Sequence, residues 1–142
     1  MGLTALTPLK NIAHGWNWVS KEPAKSEWLK LLKYVKKHFK YNKEPYASLG
    51  PGSCLPKKFL DKYSAIHVPA LSHDESRLPL FSQILGFKLI DTGFHKKWFD
   101  KEQNKKFDCG NPEISLKIIK EELKKKNGAR AFHPYRKKYN YE

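Results

Sequence analysis

The fold turns on one stretch, Ser26-Glu27-Trp28-Leu29-Lys30-Leu31-Leu32-Lys33-Tyr34-Val35-Lys36-Lys37-His38-Phe39-Lys40-Tyr41. Trp28, Leu31, Leu32, Val35 and Phe39 recur at i, i+3, i+4, i+7 and i+11, which puts them on one face of an α-helix. A half-buried strand would alternate with period two, and this segment does not. Ser26 suits the N-cap, and Glu27 suits the first turn, where the helix dipole favours a negative charge. Lys30, Lys33, Lys36, Lys37 and Lys40 take the remaining faces, and the later ones suit the C-terminal end. The spacing predicts a helix over residues 26–41.

A second helix is expected over residues 112–126. Asn111 would cap it, Pro112 would take its first position and Asn127-Gly128 would close it. Ile114, Leu116, Ile118, Ile119 and Leu123 give it a broad apolar face. Between the two helices the signals are shorter. Asn42, Pro45, Gly50-Pro51-Gly52 and Pro56 read as a loop over 42–56. Residues 57–64 read as a short helix with Phe59, Leu60 and Tyr63 inward, and 65–68 as a brief strand. Residues 70–78 read as a polar connection, and 79–85 as a short helix with Pro79 in its first turn. Residues 87–90 and 94–99 read as a short strand pair forming a hairpin. The expected class is α+β or mostly α. The expected organisation is an extended arm over 1–22, a single small domain over 23–128 and a basic aromatic tail over 129–142.

Charge is concentrated at the ends. The 142 residues carry 28 Lys and Arg against 14 Asp and Glu, a net charge of +14. Residues 1–43 contribute +7, residues 44–116 contribute +1 and residues 117–142 contribute +6. Such a layout speaks about partners rather than about fold. Lysine supplies 25 of the cations. A lysine is a hydrated point charge, whereas base-edge readout leans on the planar fork of arginine. A lysine surface therefore suits phosphate backbones or lipid headgroups. A coding sequence biased toward A and T would also enrich Lys, Asn, Phe and Tyr, but it would not create the excess of cations over acids.

Chemistry-bearing motifs are scarce. Gly50-Pro51-Gly52-Ser53 lacks the Gly-Lys-Ser/Thr that a phosphate loop needs. His73, Asp74 and Glu75 are consecutive, so they cannot share one face of a helix or strand, and they read as a solvated loop. Cys54 and Cys109 stand apart in no Cys-x-x-Cys, which suits reduced thiols and gives no zinc spacing. No metal, cofactor or catalytic group is expected. The apolar runs are far shorter than the ~20 residues of a membrane span. Residues 1–19 carry Lys10 as their only charge, so neither a secretory signal nor an Arg-rich transit peptide is expected there.

The candidate binding residues follow from charge and aromaticity. Lys33, Lys36, Lys37 and Lys40 on the first helix, with Lys124, Lys125, Lys126, Arg130, Arg136, Lys137 and Lys138 near the C-terminus, are assigned to nucleic acid or an anionic surface. Trp16 and Trp18 in the arm, and Phe132, Tyr135, Tyr139 and Tyr141 in the tail, are assigned to partner docking. Cations interleaved with aromatic rings can thread over RNA or along a protein groove. In composition, though not in any motif, the chain resembles accessory subunits of ribosomes and of mitochondrial respiratory complexes. The resemblance implies a non-enzymatic structural subunit. The first expectation is a ribosomal protein, mitochondrial or cytoplasmic, that contacts rRNA through its lysine-rich ends. The second is an accessory subunit on the matrix face of the inner membrane, meeting respiratory-complex subunits and anionic lipid.

Overall fold

In the computed structural model, which describes residues 1–94, 98–99, 106, 113–133 and 135, the segment read as an arm begins with a strand, Gly2–Pro8 (β1). β1 pairs antiparallel with Tyr46–Cys54 (β2) and parallel with Ile90–Asp91 (β3), in the order β2-β1-β3. It is the central strand. Leu3, Thr4 and Ala5 are at most 3% exposed. An uncharged run of small and apolar residues can be buried on both faces, provided that both of its edges find hydrogen-bond partners. Here both edges do. Thr4, itself buried, meets Thr92 through their hydroxyls at 3.0 Å.

The expected loop at 42–56 is mostly strand. Between Gly2 and Thr4 the partner on β2 moves from Cys54 to Leu49, so β2 carries extra residues there. Gly50-Pro51-Gly52 lies in that irregularity, with Gly52 at φ 78°. The turn signal is real, but the sheet absorbs it as a bulge. A second shift lies between Thr4 and Thr7, where Ala5 takes φ 53°.

A single 3₁₀ turn, Leu9–Asn11, and a short helix, Asn17–Ser20 (α1), follow β1. The long helix runs over Ala24–Phe39 (α2). Its inward stripe is the expected one: Trp28, Leu31 and Val35 are buried, and Leu32 and Phe39 are half-buried. Its start is two residues early. Pro23 holds the N-cap, and the Ser26 N–H donates to the Glu22 carboxylate at 3.2 Å, so Ser26 is not the cap.

Lys57–Ser64 (α3) lies where expected, with Phe59 buried and stacked on Tyr63; Leu60 is exposed rather than inward. Residues 65–68 form no strand. Asp74–Ile84 (α4) replaces both the polar connection and the short helix. His73 is its N-cap, accepting from the Glu75 N–H, while Asp74 and Glu75 fill the first turn. The charged residues read as a loop are thus a helix start, where acids favour the dipole. Pro79 sits inside α4, not in its first turn. β3 pairs with β1 instead of forming a hairpin with 94–99, and none of 94, 98 and 99 is in a strand.

The chain divides into two compact units, Met1–Thr92 and Gly93–Glu142. In the first, α1 packs on α2 and α4 on β2 over a core that includes Leu3, Leu31, Val35, Phe59, Leu80 and Phe81. In the second, Leu116–Lys124 (α5) is capped by Ser115, whose hydroxyl accepts from the Ile118 N–H. The expected cap, Asn111, and Pro112 lie outside the described residues. The mixed α+β class holds. α5 has nine residues, however, and α4 has 11, so among the described residues the second-longest helix is α4.

Removing residues 1–8 is expected to abolish the cooperative thermal transition, because β2 and β3 lose their shared partner; a dispensable arm would leave that transition in place. Phe81 is fully buried and meets the rings of Phe39 and Tyr63 edge-on at 5.9 and 5.4 Å. Phe81→Ala should cost about 3–5 kcal/mol in denaturant unfolding, whereas Leu60→Ala, at an exposed site, should cost under about 1 kcal/mol.

Candidate nucleic-acid interface

Once Trp28, Leu31 and Val35 point into the core, the opposite face of α2 is fixed by geometry. At about 100° per residue, Lys33, Lys36, Lys37 and Lys40 fall within an arc of about 100° centred away from the core. Lys25 and Lys30 lie at its margins, and all six are exposed. From 25 to 40 the face extends about 22 Å. Glu27 is the only acid in that span. Its carboxylate is engaged by the Ser72 N–H at 3.1 Å, which ties the helix to the loop before α4. Lys33, Lys36, Lys37 and Lys40 form no salt bridge among the described residues.

Lys40 has a further peculiarity. It holds the C-cap at φ 54°, with its N–H bonded to the Val35 carbonyl. That left-handed position favours glycine and costs another residue roughly 1–2 kcal/mol. Leu29, 54% exposed, lies among the lysines.

Aromatic rings flank this face. Tyr34 stacks on His38, one turn on, at 4.4 Å and donates its hydroxyl to the His67 carbonyl. Trp18 stacks on His73 at 4.0 Å with the rings 1° from parallel, and still keeps 39% of its surface exposed. Trp18 therefore keeps surface open to solvent, and Trp16 does not. At 7% exposure Trp16 caps the core of its own unit, because the start of α1 turns the indole inward. Tyr34, His38, His67 and His73 are additions to the residues assigned from sequence. The i, i+4 spacing of Tyr34 and His38 is legible on a helix; the approach of His73 to Trp18 needs the tertiary fold.

The C-terminal cations divide. Lys124 and Lys126 are exposed at the end of α5. Lys125 donates to the buried Glu122 carboxylate, which also meets Lys106 at 3.2 Å and the Ala129 N–H at 3.0 Å. Arg130 spends its guanidinium on four carbonyls, those of Glu122, Lys125, Gly128 and Ala129, which closes the end of α5. A Cβ on Gly128 would overlap the Glu122 carbonyl oxygen, so this closure needs glycine. Lys125 and Arg130 are thus internal fasteners as well as charges. Phe132 and Tyr135 are half-buried. Arg136, Lys137, Lys138, Tyr139 and Tyr141 lie outside the described residues.

Other chemistry is thin. Among the described residues no cluster of His, Cys, Asp and Glu could hold a metal. Cys54 is an exposed free thiol. A depression of about 280 Å³ lies among Leu6, Tyr46, Gln83, Phe87 and Leu89, and its lining carries no charged side chain. Among the described residues no helix is long and apolar enough to cross a membrane. Set against known family models, curated proteins and solved structures, the chain matches none of them.

Glu122 offers a titration test of the α5 closure. The Lys125 ammonium, followed by the Ala129 N–H, holds its carboxyl down at about 2, against an ordinary value of 4.5. A depressed carboxyl contributes stability that is complete above its unfolded value and is lost as pH falls. The contribution should thus fade between pH 4.5 and about 2, and Glu122→Gln should remove that pH dependence. Titration of the Glu122 carboxyl near 4.5 in the folded protein, followed by NMR, would contradict it.

Proposed function

We propose that the protein is a non-enzymatic structural subunit of a large ribonucleoprotein assembly, with the ribosome, mitochondrial or cytoplasmic, as the first candidate. One observation carries the reading: on the outward face of α2, Lys33, Lys36, Lys37 and Lys40 form no salt bridge among the described residues, and the one acid within the helix, Glu27, is held by the Ser72 backbone. An ordinary solvated helix intersperses both signs, which stabilises it through i, i+4 pairs. A face of one sign repels itself and gains only when an anion arrives. Lysine rather than arginine points to backbone contacts, which position a protein on RNA without reading its sequence. The exposed Lys124 and Lys126 extend the same chemistry in the second unit.

Leu29 favours a second reading. An exposed leucine ringed by lysines also suits an anionic bilayer surface, where the lysines meet headgroups and the leucine enters the acyl boundary. In that case the protein would be an accessory subunit on the matrix face of a respiratory complex.

Salt dependence separates these readings. The affinity of the full chain for RNA should fall linearly on a log–log plot, with a slope of about −0.7 to −0.9 per phosphate neutralised. Replacing Lys33, Lys36, Lys37 and Lys40 by Gln should flatten that slope by about three units. Affinity that hardly changes with salt contradicts the proposal. Retention on phosphatidylcholine–cardiolipin vesicles without RNA binding transfers it to the second reading.

A further inference from the structure

The lysine face of α2 has an aromatic border along one flank. Tyr34, His38 and Glu27 follow one another along the same flank of the helix, beside Lys30 and Lys37. Glu27 is bonded to Ser72, and Ser72 precedes His73, so the Trp18–His73 stack is moored at the start of this flank. The Tyr34–His38 stack lies about two turns further along, roughly 10 Å away by helical rise. Each stack is built rather than incidental. His73 is held as the N-cap of α4, and Tyr34 is anchored through its hydroxyl to the His67 carbonyl. Trp18, with His73 against one face of the indole, keeps more than a third of its surface open to solvent.

A duplex offers a phosphate surface and keeps its base faces stacked inside. A single strand offers phosphates and unstacked bases together, and binding sites for it combine a cationic track with aromatic platforms. We propose that this flank of α2 binds single-stranded RNA, with phosphates along Lys30, Lys33 and Lys37 and a base stacked on Trp18. The inference rests on the RNA reading above and deepens it by naming the form of RNA and the platform. Charge complementarity commits the surface to a polyanion, and the open indole commits it to a polyanion with exposed rings. Base–aromatic stacking tolerates any base, so no sequence preference is expected.

The test uses the full chain with two fluorescein-labelled RNAs of equal length, one single-stranded and one duplex. Trp18→Ala should weaken single-strand binding about tenfold, while duplex affinity changes less than about twofold and the salt slope of both is kept. Trp18→Phe, which retains a stacking face, should restore most of the loss. Equal affinity of wild type and Trp18→Ala for the single strand overturns this inference and leaves the RNA reading standing. Equal loss on both RNAs with Trp18→Ala, unrelieved in Trp18→Phe, also overturns it, because the indole then acts through the fold. Failure of the wild type to bind either RNA overturns the RNA reading and this inference together.

Discussion

The fold depends on the pairing of Gly2–Pro8, antiparallel with β2 along the strand and parallel with β3 at Gly2 and Leu3. A strand buried at Leu3, Thr4 and Ala5 must satisfy every backbone N–H and C=O away from water. β2 supplies partners along one edge, and β3 meets the other edge at Gly2 and Leu3. Everything else in the first unit follows from that. α4 packs against β2, Phe81 of α4 meets Phe39 of α2, and α1 lies against α2. With the core side of α2 so committed, its lysines have nowhere to point except outward.

That chain of constraint explains which parts were legible in the sequence. α2 was readable because its five apolar positions keep helical spacing over about three turns. α3 was readable for the same reason on a smaller scale. β1 was not: seven residues without charge and without alternation look like loop until two partners are supplied from positions far along the chain. Gly50-Pro51-Gly52 reads as a turn in isolation, and only the sheet turns it into a bulged strand. His73-Asp74-Glu75 reads as loop because three polar residues in a row share no face, yet an N-cap and first turn call for such residues.

The candidate interface was partly legible on the same terms. The lysines of α2 could be placed on one face by counting. Their lack of acidic partners could not. Glu27 stands three residues before Lys30, a spacing at which helical ion pairs form, and only the fold gives its carboxylate to the Ser72 N–H. The two tryptophans had equal claims as docking residues in the sequence. The fold separates them, with Trp16 in the core and Trp18 stacked on His73 at the surface. At the other end, the cations looked like one group. Lys125 and Arg130 hold α5 closed around Glu122, and Lys124 and Lys126 stand outside that closure.

The central claim is that the lysine face of α2, and not the lysines of α3, meets a polyanion. Lysine acetylation of the intact protein, read by mass spectrometry with and without RNA, tests it most directly. RNA should protect Lys30, Lys33, Lys36, Lys37 and Lys40, while the exposed Lys57, Lys58 and Lys62 of α3 stay reactive. Protection spread evenly over both helices, or confined to α3, would contradict the account.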